Sequence, residues 1–124
     1  MVRALKSMGL AALALMLASQ VEAADVAHGA VVFQRCAICH SNTKSAPARI
    51  GPNLFGVVGR QAGTMPEFSY SSAMKTAGFV WTTDKIAAYV QHPQIVVPSN
   101  RMAFGGVSSA KEAADVAAYL ATLK

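Results

Sequence analysis

Apolar positions in this chain follow a helical period at both ends of its main body and no period between them. Near the start, Val26, Ala30 and Phe33 recur at intervals of four and three, predicting one helix face that leads into Cys36. Asp25 stands where an N-cap belongs. Gly29 lies on or beside that face. A glycine inside a helix costs about 1 kcal/mol relative to alanine, a cost that makes sense where another helix must approach closely. Residues 41–66 read as loop, because Pro47, Gly51-Pro52-Asn53, Gly56, Gly59, Gly63 and Pro66 break every run. Ser71 to Ala77 predicts a short helix stopped by Gly78. Thr83 is expected to cap the next helix, whose face carries Ile86, Tyr89 and Val90 and which Pro93 ends. Residues 94–107 read as irregular, with Pro98 and Gly105-Gly106. Ser109 and Glu112 have the spacing of a capping box. They open a helix expected to reach Lys124, with Val116, Ala117, Leu120 and Leu123 as its apolar stripe. Lys124 suits the negative end of that helix dipole. No stretch alternates as a strand would. The reading is an all-α single domain whose terminal helices pack together.

The first residues follow a different logic. Arg3 and Lys6 precede an uncharged stretch, Ser7 to Val21, that is wholly apolar from Leu10 to Leu17. Val21-Glu22-Ala23 then offers small residues where a signal peptidase reads. Residues 1–23 are therefore expected to be a cleavable secretory signal peptide and residues 24–124 the exported, periplasmic domain. As a helix the uncharged stretch would rise about 22 Å, short of the ~30 Å hydrocarbon core. It also contributes much of the mean hydropathy of +0.35.

Chemistry concentrates in Cys36-Ala37-Ile38-Cys39-His40. These are the only two cysteines in the sequence. Two thiols three positions apart can add to the two vinyl groups of one haem, and the histidine that follows then lies under the ring to ligate iron. A Cys36–Cys39 disulfide is the simpler alternative in an exported protein. A thioredoxin-like site would need a βαβ setting, and zinc would need four ligands, for which His28 and His92 lack a paired spacing. One covalent haem c, attached through Cys36 and Cys39 with His40 on the metal, suits the motif best. The loops would then wrap that flat cofactor.

The second axial ligand decides between chemistries: an open site binds gases or peroxide, whereas a closed one passes electrons. His28, His92, Met65, Met74 and Met102 are the candidates. Met102 stands out, 62 residues after His40 in Pro98-Ser99-Asn100-Arg101-Met102, a proline-stiffened irregular segment on a connection long enough to round the ring. It could equally be a buried gap-filler, and spacing alone leaves the others open.

From about Val26 to Leu123 the chain resembles class I cytochromes c of the mitochondrial and purple-bacterial soluble type. The ordered motifs are Gly29 and Phe33 before Cys36-x-x-Cys39-His40; Gly51-Pro52-Asn53-Leu54; Gly59-Arg60; Tyr70; Trp81; Tyr89 and Pro93; Pro98-x-x-x-Met102-x-Phe104; and Tyr119-Leu120. The resemblance implies that Met102 is the sixth ligand and that the Pro52 carbonyl accepts the other ring proton of His40. It implies that Arg60, Tyr70, Trp81 and Asn100 hold the inner haem propionate, each being a donor. Tyr89 would lie near the Met102 sulfur, and Gly29 would meet Tyr119 where the terminal helices cross. Three positions depart from the family pattern. Met74 stands where a polar asparagine is frequent, Asn100-Arg101 replaces threonine and lysine, and His92 replaces asparagine before Pro93.

The implied function is one-electron transport in a respiratory or photosynthetic chain, with His40 and Met102 closing both axial positions of the haem. Expected partners are a membrane quinol-oxidising cytochrome bc complex, a terminal oxidase or a photosynthetic reaction centre. Alternatives are a dedicated acceptor for one periplasmic dehydrogenase, or a haem peroxidase or gas sensor with a labile methionine. The formal charge is +5; without residues 1–23, nine Lys/Arg against five Asp/Glu leave +4. By family position, Arg35, Arg49 and Arg101 would ring the haem edge and steer acidic docking faces of partners toward a monomer. The basic residues are scattered and lack interleaved aromatics, which argues against nucleic acid. No nucleophile–base arrangement or paired carboxylates suggest an enzyme.

Overall fold

The computed structural model describes residues 23–124; the expected signal peptide, apart from Ala23, lies outside them. Among the described residues the elements are α1 (Val26–Phe33), α2 (Ser72–Lys75), α3 (Thr83–Gln91), α4 (Pro93–Val96) and α5 (Ala110–Ala121). The extended backbone among them amounts to one isolated bridge, Gln61 to Val80. The terminal helices α1 and α5 pack on each other, and α3 packs on α5.

Asp25 caps α1 as its position suggests, its side chain accepting from the His28 amide at 3.0 Å. The buried face, however, is Gly29, Val32 and Phe33, not Val26, Ala30 and Phe33. Val26 is 42% exposed. The face is centred on Gly29 because α5 crosses there. A Cβ on Gly29 would run into the backbone carbonyl of Asp115 and come within 2.8 Å of the Tyr119 Cβ. The Phe33 and Tyr119 rings then meet at 5.3 Å between centroids.

Four boundaries differ from the sequence reading. Thr82, not Thr83, caps α3, accepting from the Lys85 amide at 3.1 Å; this leaves Asp84 in the first turn, where its charge suits the helix dipole. Pro93 ends α3 but also opens α4 at its first position, where a fixed φ and a missing N–H do no harm. Residues 94–96 are therefore helical. α5 stops at Ala121, and Ser109 caps it by accepting from the Glu112 amide at 3.2 Å. α2 is also shorter than expected, ending at Lys75.

Asp115 is wholly buried in the α1–α5 seam. Its carboxylate accepts from the Asp25 amide and from His28 Nδ1, both at 2.8 Å, and from Lys111 Nζ at 3.2 and 3.3 Å. The Asp25 amide foremost, then His28, holds its pKa down at about 2, against the opposing effect of burial. The folded value lies below the ordinary 3.8. The stabilisation is therefore present above that ordinary value and is lost as pH falls toward 2. Holoprotein stability is expected to drop through that window, and Asp115→Asn to be less stable at neutral pH with a flatter acid profile. Denaturant titrations across the window check both.

The long loop owes its order to a buried amide. Asn53 donates to the carbonyls of Thr43 (2.8 Å) and Ala46 (3.1 Å) and accepts from the Phe55 amide (3.0 Å). One side chain thus satisfies backbone groups that have no helix or sheet to pair with.

Candidate functional site

The backbone continues past α1 as a helical turn: the amides of Cys36 and Ala37 reach the Phe33 carbonyl, and those of Cys39 and His40 reach the Cys36 carbonyl. Positions three apart on such a turn share a side, so Cys36 and Cys39 are presented together. Both thiols are free. Burial holds the Cys36 thiol above its ordinary pKa, although Arg35 pulls the other way.

His40 is fixed from two directions. Its Nδ1 donates to the Pro52 carbonyl at 2.7 Å, which leaves Nε2 as the nitrogen with a lone pair. Its ring lies against Gly51: a Cβ there would overlap Cε1 and sit 2.7 Å from Nδ1. Only glycine lets the backbone approach so closely. Burial, with Arg49 and Arg60 adding to it, lowers the His40 pKa against the opposing pull of the Pro52 carbonyl. The imidazole is thus kept neutral, the form a metal takes.

These groups open onto a cleft of about 730 Å³, within the span of roughly 300–1,000 Å³ typical of cofactor sites. All ten residues that the sequence singled out line it: Cys36, Cys39, His40, Pro52, Arg60, Tyr70, Trp81, Tyr89, Asn100 and Met102. Leu54, Val57, Ile86, Val90, Val116 and Leu120 add an apolar lining. Of the other candidate ligands only Met74 reaches the cleft. Met65 instead places its sulfur 3.1 Å from Arg60 Nη1, His28 is engaged by Asp115, and His92 is exposed at the α3–α4 junction.

The polar end is more committed than expected. Arg60 donates through Nη2 to the Asn53 carbonyl at 3.0 Å, and burial lowers its pKa while Tyr70 opposes the shift. The Tyr70 hydroxyl accepts from the Met65 amide at 3.1 Å. Trp81 stacks obliquely on Tyr89 at 5.1 Å between centroids, and burial pushes the Tyr89 hydroxyl up to about 12, so it stays neutral. Asn100 lines the cleft while its amide nitrogen donates to the Pro93 and Val97 carbonyls, each at 2.9 Å.

The mouth of the cleft also differs from a simple basic ring. Arg35 pairs with Glu112 at 3.2 Å, and Arg101 donates to the Ser69 carbonyl at 3.0 Å. Arg49 does not line the cleft; it bridges the carbonyls of Ala37 (2.7 Å) and Ile38 (3.1 Å). Between these charges Ile38 and Ile50 stand 69% and 76% exposed at the mouth. An isoleucine inside the Cys-x-x-Cys turn was the one sequence signal for that apolar rim.

The residues fit a haem c. Two free thiols lie on one turn, a neutral imidazole has Nε2 left over to take a metal, and a mostly apolar cleft of suitable volume joins them to a thioether. Cys36 and Cys39 would hold the group, and His40 and Met102 would ligate it. Comparison with known proteins agrees. The family model "Cytochrome c" matches residues 26–124. Cytochrome c2 of Agrobacterium tumefaciens (strain II Chrys) is 40% identical over 99 residues, 77% of this chain and 89% of that one. Cytochrome c2 of Rhodopila globiformis is 43% identical over 89 residues, 72% and 83% of the two chains. The solved structure of cytochrome cH from Methylobacterium extorquens superposes with a TM-score of 0.74 at 34% identity, covering 79% of this chain and 98% of that one. With its Cys-x-x-Cys-His turn, its glycine-backed imidazole and its crossed terminal helices, the chain belongs to the cytochrome c family.

Proposed function

We propose that this protein is a periplasmic one-electron carrier that shuttles between membrane redox complexes, with His40 and Met102 as the two ligands of its haem c iron. The observation that carries the reading is that a fixed imidazole and a thioether, 62 residues apart in sequence, line one apolar cleft. When bound, haem c supplies an iron that alternates between ferrous and ferric. The chain's part is to hold that centre still. The bond from His40 to Pro52 orients the imidazole and raises its basicity. A thioether and an apolar lining favour the less charged, reduced state, so the potential is high. Neutral Tyr89 adds no charge beside the cleft.

Partners of this carrier are a quinol-oxidising cytochrome bc complex as donor and a terminal oxidase or reaction centre as acceptor. They dock at the mouth, where Ile38 and Ile50 supply apolar area and Arg35 and Arg101 supply charge. The test is rapid-mixing electron transfer between the holoprotein and a purified bc complex or oxidase. Ile50→Glu is expected to slow the second-order rate roughly tenfold, as loss of a central interface side chain does, with the reduction potential unchanged. A rate indifferent to Ile50→Glu removes this face from the docking surface.

A further inference from the structure

We infer that Asn100 is a positioning residue for the Met102 thioether, clamping the segment that carries it; the inference rests on Met102 being the second ligand. Asn100 is 8% exposed. Its Nδ2 donates to the carbonyls of Pro93 and Val97, each at 2.9 Å, and its Oδ1 accepts from the Met102 amide at 2.9 Å. One side chain therefore joins the first residue of α4, the residue that ends α4, and the backbone of Met102 itself. Among the described residues no other side chain hydrogen-bonds to all three.

Gln94 closes the same segment from outside. Its Nε2 donates to the Asn100 carbonyl at 3.1 Å, and its Oε1 accepts from the Ser99 amide at 3.0 Å. Between the two amides the chain turns through Ser99 at φ +66°, a conformation that a residue with a Cβ holds only when its surroundings impose it. From Val97 to Ser109 there is no helix to fix the backbone. The two nested amides do that work, and the inner one acts directly on the ligand residue.

The consequence is a population. A ligand loop that opens leaves the iron to competitors, and their apparent affinity rises with the open fraction. Asn100 suppresses that fraction with three bonds, two of them buried. A residue that only stabilised the fold would lower the melting temperature and leave competitor affinity alone.

Imidazole titration of the ferric holoprotein separates these roles, followed by loss of the weak far-red sulfur-to-iron band. Asn100→Ala is expected to bind imidazole at least roughly tenfold tighter than the parent, the scale set by buried hydrogen bonds. Asn100→Thr should recover part of the difference, because a hydroxyl can accept from the Met102 amide and donate to one carbonyl. Gln94→Ala, at an exposed position, should shift the affinity the same way by roughly threefold. It carries the test should Asn100→Ala fail to fold. Unchanged imidazole affinity in Gln94→Ala and in whichever Asn100 variant folds overturns the clamp, as does a threonine no better than alanine. A parent protein without the sulfur-to-iron band would instead overturn Met102 ligation, and the inference with it.

Discussion

Met102→Ala is expected to bind carbon monoxide when reduced and imidazole when oxidised, and to lose its sulfur-to-iron band. Its reduction potential is expected to fall by on the order of 0.1 V or more, since axial-ligand identity alone spreads haem potentials over about 0.8 V. The reasoning runs through the cleft. Its lining is mostly apolar, with the polar side chains already engaged: Arg60 by Asn53, Asn100 by α4. No lysine and no histidine besides His40 lines it, and the other methionine in the lining, Met74, is buried on α2. Small exogenous ligands therefore take the vacated place. Optical spectra with and without ligand, together with a redox titration, check the result. An alanine variant with the parent's spectrum and potential would mean that Met102 is only packing.

Gly29→Ala is expected to destabilise the holoprotein by about 3 kcal/mol, the upper end of overpacking costs, and to lower its melting temperature by roughly 10–20 °C. On helix propensity alone alanine should be better by about 1 kcal/mol, so the two effects have opposite signs. Packing wins because the obstruction is backbone. The new methyl would overlap the Asp115 carbonyl and lie 2.6 Å from its carbon, and a helix carbonyl has no rotamer to escape into. α1 must move away, which also strains the bonds from Asp25 and His28 to the Asp115 carboxylate. Thermal melts of the ferric holoprotein decide. A variant more stable than the parent would show that the crossing is looser than described.

What could be read from the sequence follows how local the chemistry is. The Cys36 to His40 motif contains its own geometry, because one helical turn sets both sulfurs and the histidine. Ser109 and Pro93 likewise act within a few residues. The face of α1 was misread for a physical reason: Val26, Ala27, Ala30, Val31, Val32 and Phe33 are apolar nearly all round, so periodicity cannot choose a side. Val31 is 64% exposed; only the crossing partner decides. Asp115 drew no reading from the sequence: the Lys111 contact is local, but nothing near it in the chain tells that the Asp25 amide and His28 converge on it. Asn100 was assigned to the cofactor because an amide can donate. That its donors turn back onto α4 depends on a helix of four residues, shorter than any period can reveal. The ten residues singled out as an ordered set all line the cleft, whereas the apolar rim of Ile38 and Ile50 required the fold.

The crossing of α1 with α5 has a meaning for biogenesis. A chain emerges from the ribosome N-terminus first, so the α1 face of Val32 and Phe33 lacks its α5 partner until residues 110–121 arrive. Until then the turn bearing the two sulfurs hangs from an undocked helix. The thiols thus remain approachable for nearly the whole passage of the polypeptide, and the closing of the termini becomes the last act, sealing in whatever has been attached.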